Sequence, residues 1–164
     1  MKRQHTYNIA LTWTGNTGTG TSGYRDYSRS HHVSAHNKEA IRCSSDAAFR
    51  GDPSRYNPEE LLLASLSSCH MLMYLHLCSV AGVVVSSYAD RATGLMTEDS
   101  NGSGIFTQVT LHPLITVAND AMIEKAMALH QKANTMCFIA NSVNFPVHHR
   151  PVCKAEGTTS VELH

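Results

Sequence analysis

The chain has no surplus of either charge: 13 Lys and Arg balance 13 Asp and Glu, for a formal net charge of zero. The electrostatic footprint of a nucleic-acid binder or an anionic-membrane binder is therefore missing. No Cys-x-x-Cys occurs, and the five cysteines (Cys43, Cys69, Cys78, Cys137, Cys153) are an odd set. That argues against a secreted disulfide framework and against a zinc ribbon, and for free thiols. Lys2 and Arg3 are not followed by an uninterrupted apolar run, so a secretory signal is not expected and a cytoplasmic location is. The Gly/Thr-rich stretch from Asn16 to Gly23 is not followed by Gly-Lys-Ser/Thr, which leaves a flexible loop instead of a phosphate cradle. Internal repeats and low-complexity linkers are also missing. The expectation is one domain over residues 1–164, large enough to bury its own core.

The most telling absence lies between Leu61 and Ala89, where no Asp, Glu, Lys or Arg occurs. Asn57-Pro58-Glu59-Glu60 just ahead of it is a helix start, with a capping Asn, a proline suited to the first turn and an acidic residue three after the cap. Gly82 supplies the stop. A helix without a charged face is expected to be surrounded by protein on most sides. Its length would also suffice to cross a bilayer. However, Ser65, Ser67, Ser68, His70, His76 and Ser79 would all need partners in lipid, and the flanks lack basic clusters and paired aromatics. A buried helix of a soluble protein is the better reading.

Around this helix the periodicities alternate. Tyr7, Ile9, Leu11 and Trp13 repeat every second residue, the pattern of a half-buried strand. A second strand is expected near Val33 and a third over Ala40 to Cys43. Val83 to the nineties predicts a further strand, Asn101-Gly102 a turn, and Ile105 to Val117 its partner, with Pro113 at an edge or bulge. Asn119 is expected to cap a second helix to about Ala133, and a strand-like tail to end near Leu163. This order predicts an α+β domain with antiparallel sheet. So small a domain can cover only one face of an uncharged helix, which points to a dimer in which two such helices pack together.

Cys69 lies about three turns into the long helix, beyond reach of the helix dipole, where burial alone raises a thiol pKa. As a nucleophile it would need a cation beside it. The commoner fate of a helical cysteine is to pack as a small hydrophobe. Cys78, nine residues on, faces the opposite side and is expected to pack; Cys43 and Cys153 have no context that singles them out. Two other chemistries fit the inventory. One is an acyl hydrolase with Cys69 as nucleophile and His130 or His70 as base. The other is a metal site from Cys69-His70 with His76, or from His148-His149 with Cys153, although His70 and His76 do not share a helical face.

The run Asn57-Pro58-Glu59-Glu60-Leu61-Leu62, with Cys69-His70 after it and Cys137 following the later helix, resembles the OsmC/Ohr family of organic hydroperoxide reductases, in particular its OsmC-like branch. The resemblance covers about residues 50–146. It implies an OsmC-like fold with a long buried central helix, an intertwined homodimer, a peroxidatic Cys69, a resolving Cys137, and Glu59 partnered with an arginine. It implies no metal and no cofactor, an organic hydroperoxide as substrate with hydrogen peroxide as the alternative, and a dithiol reductant of lipoyl type. Where the family's second cysteine is commonly followed by proline, this chain has Phe138. Candidates for the arginine are Arg29, favoured as standing on a strand, then Arg25 in the preceding loop and Arg50 ahead of the helix. An arginine keeps its charge and offers a fork that a carboxylate can hold.

Overall fold

The computed structural model describes residues 3–158. They fall into two compact units divided between Leu62 and Leu63, and one helix, α1 (Pro58–Val80), runs through the division.

The first unit is a three-stranded antiparallel sheet of β1 (Ala10–Trp13), β2 (His31–Ser34) and β3 (Ile41–Cys43), in the order β1-β2-β3. The alternation from Tyr7 to Trp13 forms a strand only over its second half, Ala10–Trp13, and all four residues of β1 are exposed, as are Tyr7 and Ile9 before it. The expected half-burial is not met within this chain. A 3-10 turn, Ala47–Phe49, capped by the Asp46 carboxylate on the Ala48 N–H at 2.7 Å, leads to the helix.

The start of α1 is the expected capping box. The Asn57 side-chain oxygen accepts from the Glu60 N–H at 2.8 Å, and the Asn57 N–H donates to the Glu60 carboxylate at 3.1 Å. Its end is a Schellman turn, in which Gly82 takes φ +72° and the Val83 N–H donates to the Cys78 carbonyl at 2.9 Å. Only one stripe of α1 is buried: Leu66, His70, Tyr74, Leu77 and Cys78. Leu72 is 63% and Val80 75% exposed, so this chain alone does not surround the helix. By length and composition α1 could cross a membrane, yet Ser67 and His70 both find hydrogen-bond partners inside the second unit.

The second unit holds two three-stranded sheets. One orders β4 (Val85–Asp90), β7 (Pro113–Val117) and β9 (Val152–Ala155) as β4-β7-β9; the other orders β5 (Thr93–Glu98), β6 (Gly104–Leu111) and β8 (Val147–His149) as β5-β6-β8. In each sheet the first pair is antiparallel and the second parallel, so the sheets are mixed where antiparallel pairing was expected throughout. The single strand expected over Ile105 to Val117 breaks at His112 into β6 and β7. Pro113 opens β7, which is the central strand, and not an edge; the first residue of a strand is a position that tolerates a missing N–H. After a 3-10 turn, Asp120–Met122, α2 runs Ile123–Met136. Asn119 makes no side-chain cap bond, although its carbonyl accepts from the Met122 N–H. Tyr74, Leu77, Cys78, Val83, Ile115, Val117, Ala126 and Ala133 form the core of this unit. The expected end of the tail near Leu163 lies outside the described residues.

Candidate functional site

Two cysteines far apart in sequence are brought together. Cys69, half-buried in the middle of α1, and Cys137, fully buried at the residue that ends α2, lie thiol beside thiol. Burial, and then the neighbouring Cys69 sulfur, push the Cys137 thiol up to about 11, so it is protonated at neutral pH. The turn after α2 works the other way. The Ala140 N–H points at the Cys137 sulfur from 3.4 Å, a donor placed to stabilise negative charge there. Cys69 is the more accessible of the two and Cys137 the enclosed one. Cys78 packs in the core at Tyr74, as its position on the other side of α1 anticipated, and Cys43 is buried in the first unit.

Beyond the thiols, α2 presents His130, Ala133, Asn134 and Cys137 along one face, spaced i, i+3, i+4, i+7. The His130 ring meets that of His70, the residue after Cys69. Nε2 of His70 and Nδ1 of His130 are 3.0 Å apart, and both side chains are 1% exposed. His130 also stacks on Tyr74 with ring centroids 3.9 Å apart. Burial lowers the His70 pKa to about 4 and that of His130 to about 3, so both rings are neutral at pH 7. Each ring spends one nitrogen on the other. The second nitrogen of each ring, His70 Nδ1 and His130 Nε2, is buried and hydrogen-bonds neither a cysteine thiol nor any other group. Among the described residues, no group of three or more His, Cys, Asp or Glu is placed to hold a metal ion. Sequence reasoning missed the imidazole pair because 60 residues separate its members, and nothing in a lone histidine signals a partner at that distance.

The remaining predicted residues belong to the first unit or to the first turn of α1. Glu59 stands in that turn with its Oε2 buried and without a hydrogen-bond partner. Ten residues of an unbroken helix separate it from Cys69, about 15 Å of axial rise. Arg29 is not on a strand: it precedes β2 by two residues. Its guanidinium donates to the Tyr27 carbonyl at 2.7 Å and the Tyr24 carbonyl at 2.8 Å, and lies 4.1 Å and 4.4 Å from the ring centroids of the same two tyrosines. Arg25, on the loop so held, is exposed. Arg50 sits at φ +63° with its guanidinium 6.0 Å from the Tyr24 ring. A residue that the sequence did not single out is Arg55, which pairs through Nε with Asp52 at 3.2 Å while its Nη1 is buried and unpartnered.

Comparison with known proteins gives a consistent picture. Residues 51–150 match the family model of OsmC-like proteins. Among solved structures, the chain is similar to an OsmC-like protein of unknown function from Vibrio cholerae, with 28% identity over 91% of this chain and 100% of that one, and a TM-score of 0.81. It is similar in fold to an organic hydroperoxide resistance protein from Elizabethkingia anophelis, at 21% identity, 93% and 99% coverage and a TM-score of 0.65. An organic hydroperoxide resistance protein from Legionella pneumophila aligns at 18% identity, 93% and 99% coverage and a TM-score of 0.63. No curated protein matches the chain.

Proposed function

We propose, from the premise that this chain belongs to the OsmC-like protein family, that it is a thiol-dependent peroxidase acting on organic hydroperoxides. The observation that carries this reading is the pairing of a half-buried thiol, Cys69, with a buried, protonated one, Cys137. A Cys69 thiolate attacks the outer oxygen of R–O–O–H, the O–O bond breaks, and the alkoxide leaves as ROH after taking up a proton. Cys69 is left as a sulfenic acid. The Cys137 thiol then attacks that sulfur, a Cys69–Cys137 disulfide forms, and the sulfenic oxygen departs with the Cys137 proton as water. Two thiols are oxidised and one peroxide is reduced, with no metal or cofactor in the cycle.

A dithiol of the lipoyl type completes the cycle by attacking the more accessible Cys69 sulfur and displacing Cys137 as a thiolate. The Ala140 N–H is placed to receive that charge. Glu59 is the carboxylate that positions an arginine, and its unpartnered buried oxygen supports that role. Arg25 is the better-supported arginine, because Arg29 is already held by two carbonyls and two tyrosine rings. The active form is a cytoplasmic homodimer, in which a second copy covers the exposed apolar residues of α1 and β1.

Two variants test the reading. Changing Cys69→Ser abolishes consumption of cumene hydroperoxide, whereas Cys137→Ser permits one turnover and leaves a sulfenic acid on Cys69 that dimedone traps. Equal, undiminished turnover in both variants would reject the thiol-pair mechanism.

A further inference from the structure

The hydrogen-bonded imidazoles of His70 and His130 have unfinished outer ends. His70 Nδ1 and His130 Nε2 are both buried and without a partner, and so is the Asn134 side-chain oxygen one turn along α2. Buried polar atoms are nearly always satisfied, if not by protein then by ordered water. The three atoms do not scatter through the fold. Asn134 lies between His130 and Cys137 on one face of α2, and His70 adjoins Cys69 in α1. A third imidazole, His149, lies beside both, its ring centroid 5.7 Å from that of His70 and 6.3 Å from that of His130. His149 and Asn134 also line an open polar cavity of about 450 Å³ with Gln108, Thr110, Gln131 and Arg150.

We propose that the His70–His130 pair, continued by His149 to the polar cavity and by an ordered water held on the Asn134 side-chain oxygen toward Cys137, is a proton relay joining solvent to the thiol pair. The inference rests on the thiol chemistry proposed above. Two neutral imidazoles joined by one hydrogen bond can exist in two tautomeric arrangements. A proton taken up at the free nitrogen of one ring shifts the bridging proton and releases another from the far ring. The pair is then set for transfer in the opposite direction. Peroxide reduction asks for such alternation, because one proton must leave when Cys69 ionises and one must return when the alkoxide departs. Outward and inward transfers restore the starting tautomer, so no separate reset is needed. The groups around the pair are Tyr74, His149 and Asp90. The Asp90 carboxylate is engaged by the Ser67 hydroxyl at 2.5 Å and the His112 N–H at 2.6 Å, and is not itself a relay member.

The test compares single-turnover formation of the Cys69–Cys137 disulfide in the full-length parent, His130→Gln and His70→Gln, with cumene hydroperoxide and separately with diamide. Glutamine can donate and accept a hydrogen bond but cannot pass a proton through itself. Both variants are expected to slow at least ~10-fold with either oxidant, and to lose the curved dependence of rate on deuterium fraction that a multi-proton path gives. Parental rates with an unchanged solvent isotope effect in both variants would overturn the relay. Diamide makes the same disulfide without a hydroperoxide. Slowing with diamide alone, the parent being inert to peroxide, would keep the relay and reject the peroxidase reading. Should the variants fail to fold, nitrogen chemical shifts of the parent imidazoles decide: values averaged between tautomers support the relay, and one fixed tautomer for each ring overturns it.

Discussion

At the scale of single residues, the two arginines that sequence alone ranks one way are separated by their surroundings. A strand at Arg29 would give a firmer platform than the loop at Arg25, but β2 begins only at His31 and the Arg29 guanidinium lies over the rings of Tyr24 and Tyr27. Nothing in a Tyr-x-x-Tyr-x-Arg spacing distinguishes a loop staple from a strand. Changing Arg25→Ala is expected to lower the rate of Cys69 with organic hydroperoxide by one or more orders of magnitude while the melting temperature stays unchanged. Arg29→Ala should lower both, since it loses two carbonyl bonds and two ring contacts; a normal melting temperature with lost activity would instead make Arg29 the activating residue. The imidazole pair sets a pH dependence. Folding lowers the pKa values of His70 and His130 to about 4 and about 3 from an ordinary 6.5, so below pH 6.5 the unfolded chain binds protons that the folded one does not. Their contribution to stability is therefore intact above pH about 6.5 and declines as pH falls toward about 4. The loss is on the order of 2 kcal/mol for each ring, and urea melts at pH 7.5 and 4.5 measure it. Equal stability at the two values would show that the rings are not held neutral.

At the scale of elements, what could be read in advance was local, and what could not was set by packing. The capping box at Asn57 and Glu60 and the stop at Gly82 depend on neighbours within a turn, and both ends of α1 formed as the residues dictate. The break at His112 and the parallel pairing of β8 and β9 with β6 and β7 depend on partners 38 residues away or more, such as Val109 with Val147 and Ile115 with Cys153. A strand written as one apolar run over Ile105 to Val117 gave no sign of serving two sheets. The caps yield a quantitative expectation. Gly82→Ala forces a Cβ into φ +72° with no compensating contact, and should destabilise by about 1 kcal/mol. Asn57→Ala removes one half of the reciprocal cap for a similar loss. Thermal melts of the two variants check both, and an unchanged Gly82→Ala protein would mean that the turn is not held by its left-handed residue.

At the scale of the whole molecule, a 23-residue helix without a charged residue beyond its first turn leaves Leu72 and Val80 open to water in one chain. Burying such residues is favourable at about 25 cal/mol per Å² of apolar surface, and the exposed Tyr7, Ile9 and Leu11 of the first unit add to what a second copy could cover. Sedimentation equilibrium is expected to give twice the 17.9 kDa of the chain, with Leu72→Asp shifting the equilibrium toward monomer; a monomeric parent at micromolar concentration would reject the homodimer. The thiol pair was legible as a candidate from the joint occurrence of the Asn-Pro-Glu-Glu start, Cys69 and Cys137, but their proximity was not, because it arises only when the middle of α1 and the C-terminal end of α2 are folded against each other. The central claim is that this proximity is chemical as well as spatial. Intact mass of the reduced protein after one equivalent of cumene hydroperoxide, followed by peptide mapping without reduction, tests it. A loss of two hydrogens, with Cys69 linked to Cys137 in one chain and Cys43, Cys78 and Cys153 still free, is the expected result. A bridge through any of those three, or no change in mass, would contradict the account.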